Sequence, residues 1–88
     1  MYAQTVEVTV ASGLHARPAA RFVDAAQHSA SDVFVRNVTA GGSFVDAARV
    51  LEVLGARVMQ GDVIEIEAEG DDERKVVQTL VDIAKGRA

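Results

Sequence analysis

Asp62-Val63-Ile64-Glu65-Ile66-Glu67-Ala68-Glu69-Gly70 alternates apolar and acidic residues through its centre. A β-strand sends successive side chains to opposite faces, so Ile64, Ile66 and Ala68 share one face and Glu65, Glu67 and Glu69 the other. A strand with one apolar and one charged face belongs to a sheet covered on one side only. The covering layer must come from elsewhere in the chain.

Working outward, Thr5-Val6-Glu7-Val8-Thr9-Val10 alternates in the same way, with its three valines on one face. Asp32 to Val38 reads as another strand, Val33 and Val35 opposing Phe34, Arg36 and Val38. The turn at Ala40-Gly41-Gly42 leads from it into a short strand around Ser43-Phe44-Val45, a hairpin. Between the strands the period becomes helical. A first helix starts at Pro18, with Ala19, Phe22, Val23 and Ala26 as its apolar stripe. A second is expected from about Asp46 to Leu54, burying Ala47, Val50, Leu51 and Leu54, with Gly55 as its C′ residue. A third runs from about Asp71 to Lys85 and buries Val76, Val77, Leu80, Ile83 and Ala84. The order β-α-β-β-α-β-α predicts an α+β two-layer domain with helices on one face of an antiparallel or mixed sheet.

Composition narrows the function. The 88 residues make one domain, residues 1–88, whose 49% hydrophobic content is that of a globular core. There are no cysteines, which excludes disulfides, thiolate nucleophiles and Cys-containing zinc sites. A net charge of −4 argues against a nucleic-acid-binding surface. Neither a membrane span nor a signal peptide is visible, so a cytoplasmic protein with no membrane partner is expected.

Chemistry is concentrated in Ser12-Gly13-Leu14-His15-Ala16-Arg17-Pro18-Ala19-Ala20. Gly13 allows a tight turn out of the first strand, and Pro18 places His15 at or just before a helix N-terminus. Unpaired N–H groups and the helix dipole favour an anion there, and they disfavour a positively charged ring on His15. A neutral imidazole beside such a site is a nucleophile toward a phosphoryl group, Arg17 offers a planar fork of donors, and Ser12 adds a hydroxyl. On spacing alone, a capping or surface histidine fits as well.

Gly13-Leu14-His15-Ala16-Arg17-Pro18-Ala19-Ala20 resembles the active-site signature of the HPr family, the histidine-containing phosphocarriers of the bacterial sugar phosphotransferase system. The likeness extends over essentially the whole chain, including Leu54-Gly55 and Gly61-Asp62 through Gly70. It implies an open-faced sandwich of four antiparallel strands with three helices on one face. It further implies a monomer without metal or cofactor that takes a phosphoryl group from phospho-enzyme I and gives it to the IIA domains of sugar permeases. His15 would carry the phosphate on Nδ1, with Arg17 and the N–H groups of Ala16 and Arg17 as donors. Such a protein is a carrier rather than an enzyme, since its partners complete each active site.

Two departures stand out. Ala47 occupies the position where many family members carry a regulatory serine, so control by a serine kinase at that site is not expected. Partner docking is expected through Ala16 and Ala20, and through Ala48, Arg49, Glu52 and Val53 as the outward side of the second helix. Charged Arg49 and Glu52 there suggest either an altered interface or an ion pair on a solvated face. Two further functions fit the fold class: a regulatory adaptor, and a small phosphatase using Arg17, which lacks a water-orienting residue in the segment. Elsewhere, His28 reads as a helix C-terminal residue, and Asn37-Val38-Thr39 matches a glycosylation acceptor of no use to a protein that is not secreted.

Overall fold

In the computed structural model, which describes residues 1–87, the acidic-apolar stretch forms an inner strand of the sheet, paired on both edges. The elements are β1 (Tyr2–Glu7), α1 (Ala16–Gln27), β2 (Ser31–Asn37), β3 (Val45–Asp46), α2 (Val50–Gly55), β4 (Val63–Gly70) and α3 (Glu73–Ala84). The sheet order is β1-β4-β2-β3 and every pair is antiparallel. Two layers result: an open sheet, and the three helices against one of its faces.

The strand alternation sets the layers. Val6, Val33, Val35, Ile64, Ile66 and Ala68 are buried together with Phe22, Val23 and Ala26 of α1 and Val76, Val77, Leu80 and Val81 of α3. The other face carries the acidic residues. Arg36 lies directly opposite Glu65 across β2 and β4, and its guanidinium pairs with that carboxylate at 2.8 Å. No helix among the described residues is long and apolar enough to cross a membrane.

Boundaries moved where something other than periodicity decided them. β1 occupies Tyr2–Glu7 rather than residues 5–10. Val8 stays buried beyond the strand, and the N–H groups of Thr9 and Val10 both donate to the Ala84 carbonyl, at 3.0 and 3.1 Å. The valine alternation thus continues after the chain has left the sheet for the end of α3. β3 lies at Val45–Asp46, slightly past the expected Ser43–Val45.

The second helix differs most. Residues 46–49 are strand end and turn, and α2 begins only at Val50. Val53 is its fully buried residue, while Val50 and Leu51 face outward, Leu51 80% exposed. Both assignments of this helix are therefore corrected: Val50 and Leu51 do not enter the core, and Val53 is not an outward residue. Ala47 is buried as expected, but from the turn before the helix, its N–H donating to the Val33 carbonyl at 2.9 Å. The left-handed residue that ends the helix is Arg57, with φ of 53°, not Gly55.

Asp72, just before α3, ties that helix to the start of β2. Its carboxylate accepts from the Ser31 hydroxyl at 2.5 Å and the Ala30 N–H at 3.0 Å. The Ser31 bond first, then the Ala30 bond, hold the Asp72 carboxyl below its ordinary value of 3.8. Asp62 and Glu73 are lowered in the same direction, chiefly by the N–H groups of Met59 and Gly70. A carboxyl lowered by folding adds stability that is complete above its unfolded value and is lost as pH falls through the folded one. Urea midpoints are therefore expected to hold steady above pH 4.5, the ordinary value for Glu73, and to fall more steeply below 3.8, that of Asp62 and Asp72. Asp72→Asn should lower the midpoint at neutral pH and flatten the acid limb; an unchanged limb would remove Asp72 from the account.

Candidate functional site

Gly13 makes the turn that presents the candidate segment. Its φ is 66°, and its N–H donates to the Val10 carbonyl at 3.0 Å. A Cβ on Gly13 would collide with the Val58 carbonyl and lie 2.9 Å from the Met59 Cα. The next residue, Leu14, is fully buried and donates its N–H to the same Val58 carbonyl at 3.0 Å. The loop of residues 56–62 is thereby clamped against the segment that leads to His15.

His15 is the N-cap of α1, with extended backbone and a side chain that caps nothing. The helix opens at Ala16, two residues before Pro18, so the proline sits inside the first turn, where a missing N–H costs no hydrogen bond. Ala19 gives the first helical N–H, to the His15 carbonyl at 3.4 Å. That leaves the N–H groups of Ala16 and Arg17 among the unpaired donors of the helix end, with no acceptor among the described residues. Ala16 has φ of 49°, a left-handed conformation costing an alanine about 1 kcal/mol. Strain of this kind persists where surrounding packing enforces it, here between buried Leu14 and Ala19.

The imidazole of His15 is half-buried, and its Nε2 lies 3.4 Å from the Met59 Sδ. Nδ1 has no protein partner among the described residues. Arg17 is exposed, and its guanidinium likewise has no hydrogen-bond or ion-pair partner among them. A ring nitrogen, two N–H groups and an unengaged guanidinium thus share one helix end. Ser12 is less well placed: its hydroxyl donates to the Gly13 carbonyl at 3.2 Å, and no hydrogen bond joins it to His15.

Of the proposed docking residues, Ala16, Ala20 and Arg49 are exposed, Ala48 and Glu52 half-buried, and Val53 buried. Arg49 Nε pairs with Glu52 Oε2 at 3.1 Å, three residues along the chain, while Glu52 Oε1 also accepts the Asp46 N–H at 3.0 Å. The pair is largely solvated and adds little. The apolar surface of α2 comes instead from Val50 and Leu51. His28 caps the C-terminus of α1, its Nδ1 2.8 Å from the Asp24 carbonyl.

Three residues of the site's support escaped sequence reasoning. Asn37, only 2% exposed, directs its Nδ2 to Asp62 Oδ2 at 3.0 Å and to the Ala56 carbonyl at 3.2 Å. Asp62 Oδ2 also accepts the Met59 N–H at 3.0 Å. A chain of contacts therefore runs Asn37–Asp62–Met59–His15. One sign was available: Asn37 shares the inward face of β2 with Val33 and Val35, and a polar residue on an apolar face needs buried partners.

A family model described as the PTS HPr component phosphorylation site matches residues 2–85. The phosphocarrier protein HPr of Haemophilus influenzae is 37% identical over 81 residues, 92% of each chain. The HPr-like protein Crh of Bacillus subtilis is 36% identical over 80 residues, 91% of each chain. The crystal structure of HPr-C-His from Thermoanaerobacter tengcongensis superposes with a TM-score of 0.88 at 35% identity, covering 100% of this chain and 99% of that one. An HPr from the same organism, crystallised as a dimer, gives 0.70 at 37% identity, covering 94% of this chain and 92% of that one.

Proposed function

This chain belongs to the HPr family of phosphotransferase-system phosphocarriers, and from that premise we propose that His15 accepts a phosphoryl group from phospho-enzyme I and passes it to the IIA domains of sugar permeases. The observation that carries this reading is the placement of His15: a ring nitrogen without a protein partner among the described residues, at a helix end whose Ala16 and Arg17 N–H groups are unpaired among them. In the forward step the Nδ1 lone pair forms a bond to phosphorus. The bond from phosphorus to the donor's own carrier atom breaks, and its electron pair stays with the donor. The N–H groups and Arg17 bind the phosphoryl oxygens. The protein acts as a cytoplasmic monomer and supplies half of each active site, its partners the other half.

Docking falls to the exposed Ala16 and Ala20 around the histidine and to Val50 and Leu51 on α2. Such apolar anchors, rather than the rim charges Arg49 and Glu52, set how long a partner stays. Arg49 and Glu52 therefore do not by themselves argue for an altered interface. Incubation with phosphoenolpyruvate and enzyme I, followed by mapping of the acid-labile phosphate, tests the assignment; phosphate on any residue other than His15 overturns it.

Arg17→Lys separates charge from geometry. A lysine keeps the positive charge but cannot offer two parallel N–H donors to a phosphoryl group. Transfer from enzyme I is expected to slow by roughly tenfold, the loss of about one charge-assisted hydrogen bond. Equal rates for the two proteins in rapid-quench experiments would mean that the fork is not used.

A further inference from the structure

We propose that Met59 is a positioning residue for phosphoryl transfer: its thioether sulfur accepts the Nε2–H of His15 and so keeps the lone pair on Nδ1. The proposal rests on the reading of His15 as the phosphoryl acceptor. An imidazole has two neutral forms, and only the one protonated on Nε2 presents Nδ1 as a nucleophile. The Sδ atom, 3.4 Å from Nε2, is the ring's one hydrogen-bond partner among the described residues. Sulfur has no proton to donate, so the contact is satisfied only when Nε2 carries the hydrogen.

Met59 is 55% exposed, and packing alone would not fix so flexible a side chain. Its backbone, however, is held at both ends of a tight turn. Its N–H donates to the Asp62 carboxylate, and its carbonyl accepts the Asp62 N–H, each at 3.0 Å. Asp62 is in turn gripped by buried Asn37, and Val58 is fastened to Leu14, so this loop cannot drift from the histidine. Both features point the same way, toward a sulfur kept at a set distance from one ring nitrogen.

The contact strengthens as the reaction proceeds. When Nδ1 bonds to phosphorus, its lone pair is spent and positive charge spreads over the ring, so the Nε2–H becomes a better donor. An interaction that is stronger in the transition state than in the ground state accelerates the step. The proton stays on Nε2 throughout, and no further group must take it up. A thioether is also a neutral, weak acceptor, so it does not trap the phosphorylated form as a carboxylate would. That suits a protein that must hand the phosphate on.

The test compares wild type with Met59→Leu, which keeps the volume and removes the acceptor, and with Met59→Gln, whose amide oxygen restores one. Phosphoramidate serves as a small phosphoryl donor, so that partner docking does not enter. Phosphorylation of His15 is expected to be about fivefold slower in the leucine variant, the worth of one modest hydrogen bond, and largely restored in the glutamine variant. In parallel, 15N spectra of the neutral His15 ring should show Nε2 protonated in wild type and a larger share of Nδ1–H in Met59→Leu. Equal rates and equal tautomer populations in all three proteins, with His15 phosphorylated in each, would overturn the role of Met59 and leave the carrier function standing. A wild-type protein that takes no phosphate on His15 would overturn both.

Discussion

His15→Ala is expected to take up no phosphate from phosphoenolpyruvate and enzyme I, a complete loss rather than a reduced rate. No neighbouring residue can replace it. The segment from Ser12 to Ala20 contains no second histidine, and the other histidine, His28, lies at the opposite end of α1, bonded to Asp24. The fold should survive the change. His15 is half-buried, its side chain makes no cap hydrogen bond, and its one hydrogen-bond partner among the described residues is an exposed methionine. A loss of stability within about 1 kcal/mol is therefore expected, as at other sites outside the core. Intact-mass analysis at neutral and acid pH reads the phosphate, and a thermal melt reads the fold. An acid-labile phosphate on the alanine variant would move the acceptor elsewhere; an unfolded variant would show that the ring carries packing not visible in its contacts.

The parts of this molecule that were legible in the sequence are those where one face of an element meets a continuous core. β2, β4, α1 and α3 read correctly because Val33 and Val35, Ile64 and Ile66, Phe22 and Val23, and Val77 and Leu80 obey a single period over their length. α2 did not, for a physical reason. It has six residues, too few turns for a 3.6-residue period to choose between two apolar phases. Ala47 matched the pattern from outside the helix, so the phase through Val50 and Leu51 looked buried when the phase through Val53 is the one that packs. The site divides in the same way. Its candidate residues are contiguous and could be read as a motif, whereas the Asn37–Asp62–Met59 support draws on segments more than 20 residues apart and meets His15 only through the fold.

Gly13→Ala should be the most damaging single-methyl change near the site, since it strains the segment and pushes on its support at once. The left-handed φ of 66° costs a non-glycine residue about 1 kcal/mol. The added Cβ must also displace the backbone of Val58 and Met59, which cannot step aside as a flexible side chain would. Overpacking of this kind costs a further 1–3 kcal/mol or so. For a domain of this size each kcal/mol lowers the melting temperature by roughly 4–8 °C, so a fall on the order of 10–25 °C is expected. Gly41→Ala supplies the control: its φ is 69°, but nothing lies within 4 Å of the new Cβ, so it bears the conformational cost alone. The difference between the two melts isolates the collision with residues 58–59. Because that collision drives Met59 away from His15, Gly13→Ala should also slow phosphorylation by phosphoramidate, while Gly41→Ala should not. Equal melting temperatures for the two variants would mean that the loop yields freely, and a loop that yields cannot hold a sulfur against a histidine.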